Sequence, residues 1–226
     1  MSPLTVSVPT TELRDALGEL ADVTVLLWDM TGAPPASEID LVVPPYMSGP
    51  SILRRLADVR TRLVQSQMVG FDGVADVLPS GVVYANATSV HETSTAELTL
   101  ALILASQRGV PDFVRASEEG RWAPAWHQGL ADRTVLLVGY GGVARAIESR
   151  LHGFEVTVER LALTERTDEH GPIHGLGSLN RLLPLADVVV VVVPLTPATT
   201  HLIDDAFLAR MRDGSLLVNV SRGRVA

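Results

Sequence analysis

One turn carries the sharpest chemistry in the sequence. An unbroken run, Thr134-Val-Leu-Leu-Val138, leads into Gly139-Tyr140-Gly141-Gly142-Val143-Ala144, and a helical pattern follows at once. Gly-x-Gly-x-x-Ala between a strand and a helix suits a dinucleotide pyrophosphate. The first glycine makes a tight turn, the second lets a phosphate approach the backbone, and the small third residue lets the helix pack on its strand. The N–H groups that open the helix, with its dipole, face the anion. The next strand should end on the residue that reads the adenosine ribose. It runs Val156-Thr-Val-Glu159-Arg160-Leu161, with Glu159 20 residues past Gly139. An acid there binds the 2′-hydroxyl of NAD, and an arginine accommodates the 2′-phosphate of NADP. Neighbours in a regular strand face opposite sides, so only one of the pair can face the ribose. The reading favours Arg160, and NADP over NAD.

Two runs of alternating strands and helices must position this turn. In the first, Leu4–Val8, Val23–Trp28, Ile39–Val43, Leu63–Gln65 and Val82–Ala85 are strand candidates, aliphatic and closed by Pro, Gly or Asp. Thr11–Leu20 and Ser51–Val59 carry leucines at helical spacing, with Thr11 and Ser51 as N-caps. From Arg133 a second alternation predicts strands at 134–138, 156–161, 188–193 and 215–220, with helices at 142–151, 179–183 and 204–211. Between them, 93–108 predicts one helix, with Ser94 and Glu97 as a capping box. Its second half is apolar on every side, which predicts burial all round at a domain or subunit interface. The next stretch, 109–132, reads as a helix and then a loop holding Trp122 and Trp126. The expected fold is α/β, with two parallel-sheet domains at 1–85 and 86–226.

Composition removes whole classes of function. Of 226 residues, 46% are apolar and 19% charged, enough to bury a core and far from a disordered composition. No cysteine is present, so a disulfide framework, a thiolate metal site and a Cys nucleophile are excluded. All 18 basic residues are arginine, which excludes a Schiff-base lysine and a Walker-type phosphate lysine. A net charge of −8 argues against a nucleic-acid partner. No apolar run approaches the ~20 residues that span a bilayer, and the N-terminus lacks a basic n-region. The expectation is a cytoplasmic protein with no membrane partner. No HExxH, calcium loop or spaced His/Asp cluster points to a metal, and no Gly-x-Ser-x-Gly elbow appears.

Several segments together resemble the D-isomer-specific 2-hydroxyacid dehydrogenases. Gln65-Ser-Gln-Met-Val-Gly70-Phe-Asp72 is similar to the family's substrate loop. Asn86 through Arg108, with Ser94-Thr95-Ala96-Glu97, resembles its interdomain helix, and Arg133–Ala146 resembles its dinucleotide turn. Ala186-Asp187 through Val193-Pro194-Leu-Thr-Pro-Ala-Thr199 resembles its adenine-side strand and loop. Gly214 through Asn219-Val-Ser221-Arg222-Gly223 resembles the segment carrying its catalytic arginine. The apolar stretch Leu98–Ala105 of helix 93–108 is itself read as the seam of a homodimer. The resemblance implies a flavodoxin-like N-terminal domain and a Rossmann dinucleotide-binding domain whose C-terminal part is missing. It implies that backbone N–H groups around Val69 and Gly70 hold a substrate carboxylate. Thr95, Gly139, Tyr140, Gly141, Gly142, Val143, Pro194, Thr199 and Ser221 would line the cofactor. Arg222 would bind the carbonyl oxygen and carboxylate of a small 2-oxo acid. The chemistry needs such a group, because hydride delivery to a ketone carbon builds charge on oxygen, which a fixed guanidinium stabilises.

The family also supplies a later carboxylate and an acid–base histidine, whereas this sequence ends at Ala226, four residues past Arg222. Its histidines (His91, His127, His152, His170, His174 and His201) read as solvated loop residues rather than substitutes. Two readings follow. One is an NAD(P)-dependent 2-hydroxyacid dehydrogenase seen in part. The other is a dinucleotide-binding, dimerising protein without useful turnover. The first is favoured, because a stop in mid-sheet would leave an edge strand unpaired.

Overall fold

Short β-branched and leucine-rich runs set the strands. The structure, a computed structural model, describes residues 3–226 and divides into two units, Met1–His91 and Glu92–Ala226. The first unit orders β1 (Leu4–Val8), α1 (Thr11–Leu17), β2 (Val23–Leu27), β3 (Leu41–Val42), β4 (Leu63–Gln65) and β5 (Val83–Ala85). Its strands pair in parallel in the order β2-β1-β3-β4-β5, the flavodoxin-like doubly wound order. Thr10 rather than Thr11 caps α1, its hydroxyl accepting the Leu13 N–H at 3.2 Å. The second helical pattern closes as a 3₁₀ helix over Pro50–Asp58, with Gly49 rather than Ser51 at its N-cap.

Side chains alternate along a strand, so the register sorts this sheet into two faces. Ser7, Val42 and Val64 lie on one face and are buried; Val42 and Val64 share a core with Leu53 and Leu56 of the 3₁₀ helix. Leu4, Leu27 and Val83 lie on the other and are 56%, 42% and 62% exposed.

The second unit orders α2 (Glu92–Gln107), α3 (Val110–Glu118), β6 (Thr134–Val138), α4 (Gly142–Leu151), β7 (Thr157–Leu161), β8 (Arg166–Asp168), β9 (Gly171–Ile173), α5 (Leu179–Leu182), β10 (Val188–Val191), α6 (Asp205–Leu208) and β11 (Leu216–Asn219). The main sheet is parallel in the order β11-β10-β6-β7. Val135, Leu137, Val188 and Val190 pack with Ala96 and Ile103 of α2 and Ala144, Ile147 and Leu151 of α4. Leu136, Val138, Val189 and Val191 pack on the opposite face with Leu182, Leu183 and Phe207. A strand covered on both faces needs apolar residues at every position, which is why β6 and β10 read as unbroken runs. At the far end of the strands, Asp187 ties the sheet together. It accepts the Thr134 N–H at 2.9 Å and pairs with Arg133 at 2.8 Å and Arg212 at 2.6 Å. Burial pushes its carboxyl up, but the Thr134 N–H and the two arginines outweigh this and hold it below the usual range.

Four expectations need correction. Burial of α2 is one-sided: Ala96, Thr99 and Ile103 are buried, while Leu98 and Leu102 are 55% and 44% exposed. The helix starts at Glu92, so Ser94 lies inside its first turn and not at the cap. Between β7 and α5, where no strand is expected, residues 166–173 form the antiparallel pair β8–β9, and His174 bridges Leu161 so that the chain runs on beside β7. Pro172 is tolerated in so short a strand at a sheet margin. His127 is not a solvated loop residue: its ring meets Phe113 edge-on at 5.2 Å, with Nε2 buried and unbonded. No helix among the described residues is long and apolar enough to cross a membrane.

Candidate dinucleotide site

Register brings the separated motifs of the second unit together. Val191 pairs with Val138 on one side and Asn219 on the other, and Leu161 pairs with Val138. The strands therefore end on one edge, where Gly139, Ala162, Val192–Pro194 and Val220–Arg222 leave the sheet. From β6 the chain winds to β7 on one side, and β10 lies on the other, so this edge is a topological switch point.

Gly139 has φ +97°, and a Cβ there would stand 3.0 Å from the Val192 carbonyl carbon and oxygen. Both the backbone region and the close approach demand glycine. Gly141 is the N-cap of α4, carries no capping side chain and has nothing within 4 Å of its Cβ position. The N-cap thus supplies no side-chain acceptor to the first N–H groups of α4, the groups that a phosphate-bearing ligand uses. Ala144, fully buried, lets α4 close on β6. These features fit the pyrophosphate of a dinucleotide.

Beneath the turn sits a polar cluster. The Tyr140 hydroxyl and the Arg160 guanidinium both donate to the Glu148 carboxylate, which is 1% exposed. Burial, then the Glu148 hydrogen bond and charge, push the Tyr140 phenol up to about 12. Burial also pushes Glu148 up, but the Arg160 and Tyr140 hydrogen bonds and the Arg160 charge more than offset it, and its carboxyl lies below the usual range. Arg160 is raised by its hydrogen bond to Glu148. The side chain of Arg160 is 12% exposed and committed to this pair. Arg166, exposed at the start of β8, donates from Nη2 to the Tyr140 carbonyl at 2.9 Å.

The loop after β10 is braced internally. Thr199 Oγ1 donates to the Pro194 carbonyl at 2.6 Å and accepts the Thr196 N–H at 2.8 Å. Past β11, Asn219 Oδ1 accepts the Ser221 N–H at 3.0 Å and its hydroxyl at 2.5 Å, while Asn219 Nδ2 donates to the Arg222 carbonyl at 3.0 Å. Arg222 is half-buried, with Nη1 on the Ser221 carbonyl at 2.9 Å. Thr95 lies in the first turn of α2, its carbonyl accepting Thr99 Oγ1 at 2.7 Å. Glu148 and the bracing role of Asn219 escape the sequence reading. The Asn219 turn has a signal, an Asn followed two residues on by Ser, typical of Asx turns. Glu148 has none, because its partner lies on another strand.

In the first unit, Val69 and Gly70 lie in the loop after β4. Asn86 Nδ2 donates to the Val69 carbonyl at 2.9 Å, and the Ala87 N–H to the Met68 carbonyl at 2.9 Å. Ser66 Oγ accepts the Met68 N–H at 3.0 Å. The Val69 and Gly70 N–H groups are given to no acceptor among the described residues.

Family and fold are also shared with known proteins. Residues 100–226 match the family model described as D-isomer specific 2-hydroxyacid dehydrogenase, NAD binding domain. A glyoxylate reductase of Thermococcus onnurineus is 33% identical over 74% of this chain and 53% of its own length. The chain thus spans about half of that relative. The human glyoxylate reductase/hydroxypyruvate reductase is 29% identical over 95% of this chain and 70% of its own. Among solved structures, a D-isomer specific 2-hydroxyacid dehydrogenase from Xanthobacter autotrophicus, in complex with NADPH and MES, superposes with a TM-score of 0.79 at 24% identity. It covers 100% of this chain and 74% of its own. An NADPH-dependent glyoxylate/hydroxypyruvate reductase from Sinorhizobium meliloti gives a TM-score of 0.81 at 21% identity with the same coverage. A match to this NAD-binding domain over more than half its length places the chain in the D-isomer specific 2-hydroxyacid dehydrogenase family.

Proposed function

We propose that this protein transfers a hydride between a nicotinamide cofactor and a small 2-hydroxy or 2-oxo acid, with glyoxylate and hydroxypyruvate as the first substrates to try. One observation carries the reading: the glycine turn, the Pro194–Thr199 loop and Arg222 leave a single sheet edge at the switch point. The bound nicotinamide would supply or accept the hydride. Gly139, Gly141, Gly142 and Val143 offer backbone to the pyrophosphate, with Tyr140 anchoring the turn from below. Thr95, Pro194, Thr199 and Ser221 shape its walls. Arg222, held by the Asn219 turn, opposes charge that develops on the substrate oxygen. The Val69 and Gly70 N–H groups bind the carboxylate.

NADP is the favoured cofactor. Arg160, neighbour of the Glu159 that spacing selects, is the residue favoured for the phosphate, but its charge is compensated by Glu148. Arg166, on the Tyr140 carbonyl, therefore takes the 2′-phosphate in this proposal, and Arg160 supports the turn. The protein further assembles as a homodimer through α2, whose Leu98 and Leu102 are exposed.

The test follows NADPH absorbance with glyoxylate. Arg222→Gln should lower kcat/KM by about 10²–10³ while NADPH affinity stays within about twofold. Equal turnover in the variant would sink the role of Arg222. Tight NADPH binding with no turnover of any 2-oxo acid would favour a binding protein instead.

A further inference from the structure

Glu92, the first residue of α2, reaches the start of α4. A Cβ built on Gly142 would run into the Glu92 carboxylate at Oε1 and Cδ. Gly142 is the first residue of α4, whose N-cap Gly141 offers no side chain. A negative group therefore lies against the positive end of the helix, where the pyrophosphate of a dinucleotide would sit.

Gly142 is not demanded by the dinucleotide pattern. It occupies one of the x positions of Gly-x-Gly-x-x-Ala, which tolerate side chains. Its backbone lies outside the positive-φ region that excludes alanine, and the three nearest atoms in the way are the far end of a flexible glutamate. What glycine provides at 142 is room for Glu92.

We infer that Glu92 is a built-in competitor for the cofactor phosphates, a specificity-determining residue that sets dinucleotide affinity. The inference rests on the proposal that this turn binds a dinucleotide. In the free protein the carboxylate complements the α4 dipole. Cofactor binding must move it aside, because two anions cannot share one helix terminus without mutual repulsion. Removing the charge, or expelling it with a methyl group on residue 142, should strengthen binding of anything that presents a pyrophosphate.

The experiment titrates NADPH into the protein, Glu92→Gln, Gly142→Ala and the double variant. Each single variant should tighten the Kd by about tenfold, a modest part of what like charges in contact exert near a surface. The double variant should gain no more than either single one, since both act on the same carboxylate. Unchanged or weaker binding in Glu92→Gln overturns the inference, as do gains that add in the double variant. If no form binds NADPH, the dinucleotide reading falls. Inorganic pyrophosphate is then the probe, and a gain in Glu92→Gln supports competition while no gain overturns it.

Discussion

Glu148 looks like a surface residue in the sequence and is the one fully buried charge among the described residues. It survives burial because Arg160 and Tyr140 both donate to it. A buried pair contributes little net stability but is costly to break, since the remaining charge is stranded. Glu148→Gln should therefore destabilise the protein by about 3 kcal/mol, read from urea denaturation. The pH dependence follows from linkage. The folded-state pKa of Glu148 is depressed, so its contribution is present above the ordinary carboxylate range and lost as pH falls through the lowered value. Tyr140 is raised, so its contribution is full below its ordinary 10.0 and lost as pH climbs toward about 12. A phenolate absorbance step near 12 should appear in the protein and vanish in Tyr140→Phe; a spectrum without that step would mean that Tyr140 is solvated.

At the scale of elements, α2 shows how far a sequence pattern reaches. Its apolar residues surround the axis, so periodicity cannot say which side is covered, and apolarity alone predicts burial all round. Contact with α4 decides the matter: small Ala96 and Thr99, with Ile103, form the close face and leave Leu98 and Leu102 outward. Trp122 and Trp126, 92% and 102% exposed, follow α3 in the same unit. Isolated apolar residues at a surface are ordinary, but large side chains grouped on one unit suit association. Leu102→Glu should convert a homodimer to monomers in sedimentation equilibrium, or yield insoluble protein. A soluble dimer of that variant would remove α2 from the seam. Beta strands fared differently. The aliphatic runs of β1, β4 and β6 coincide with their strands to the residue, because turn residues close them and leave little freedom. The β8–β9 pair carries no such signal, because Arg-Thr-Asp and Gly-Pro-Ile lack an aliphatic run.

Across the whole molecule, the two sheets differ in how they are covered. The sheet of the second unit is packed on both faces. That of the first exposes Leu4, Leu27 and Val83 on one face, although parallel sheets are normally covered on both. Such a surface should bind a hydrophobic dye in native buffer. Leu27→Gln with Val83→Gln should reduce that signal, while stability changes by no more than about 0.5 kcal/mol per site, as for other exposed positions. An unchanged signal would locate the sticky surface elsewhere.

The sequence by itself determined the α/β class, two alternating segments, the glycine turn and the order of motifs that marks the family. These are local properties: hydrophobic period, turn residues and short motifs act within a few neighbours along the chain. Only the tertiary structure decided what each side chain at the site is committed to. Arg160 meets Glu148 across α4 and β7, Thr199 closes on Pro194, Asn219 holds the Arg222 turn, and Glu92 reaches Gly142. Pairings of that kind depend on how helices pack on the strands and on one another and on how loops fold back, which a local pattern along the chain does not carry.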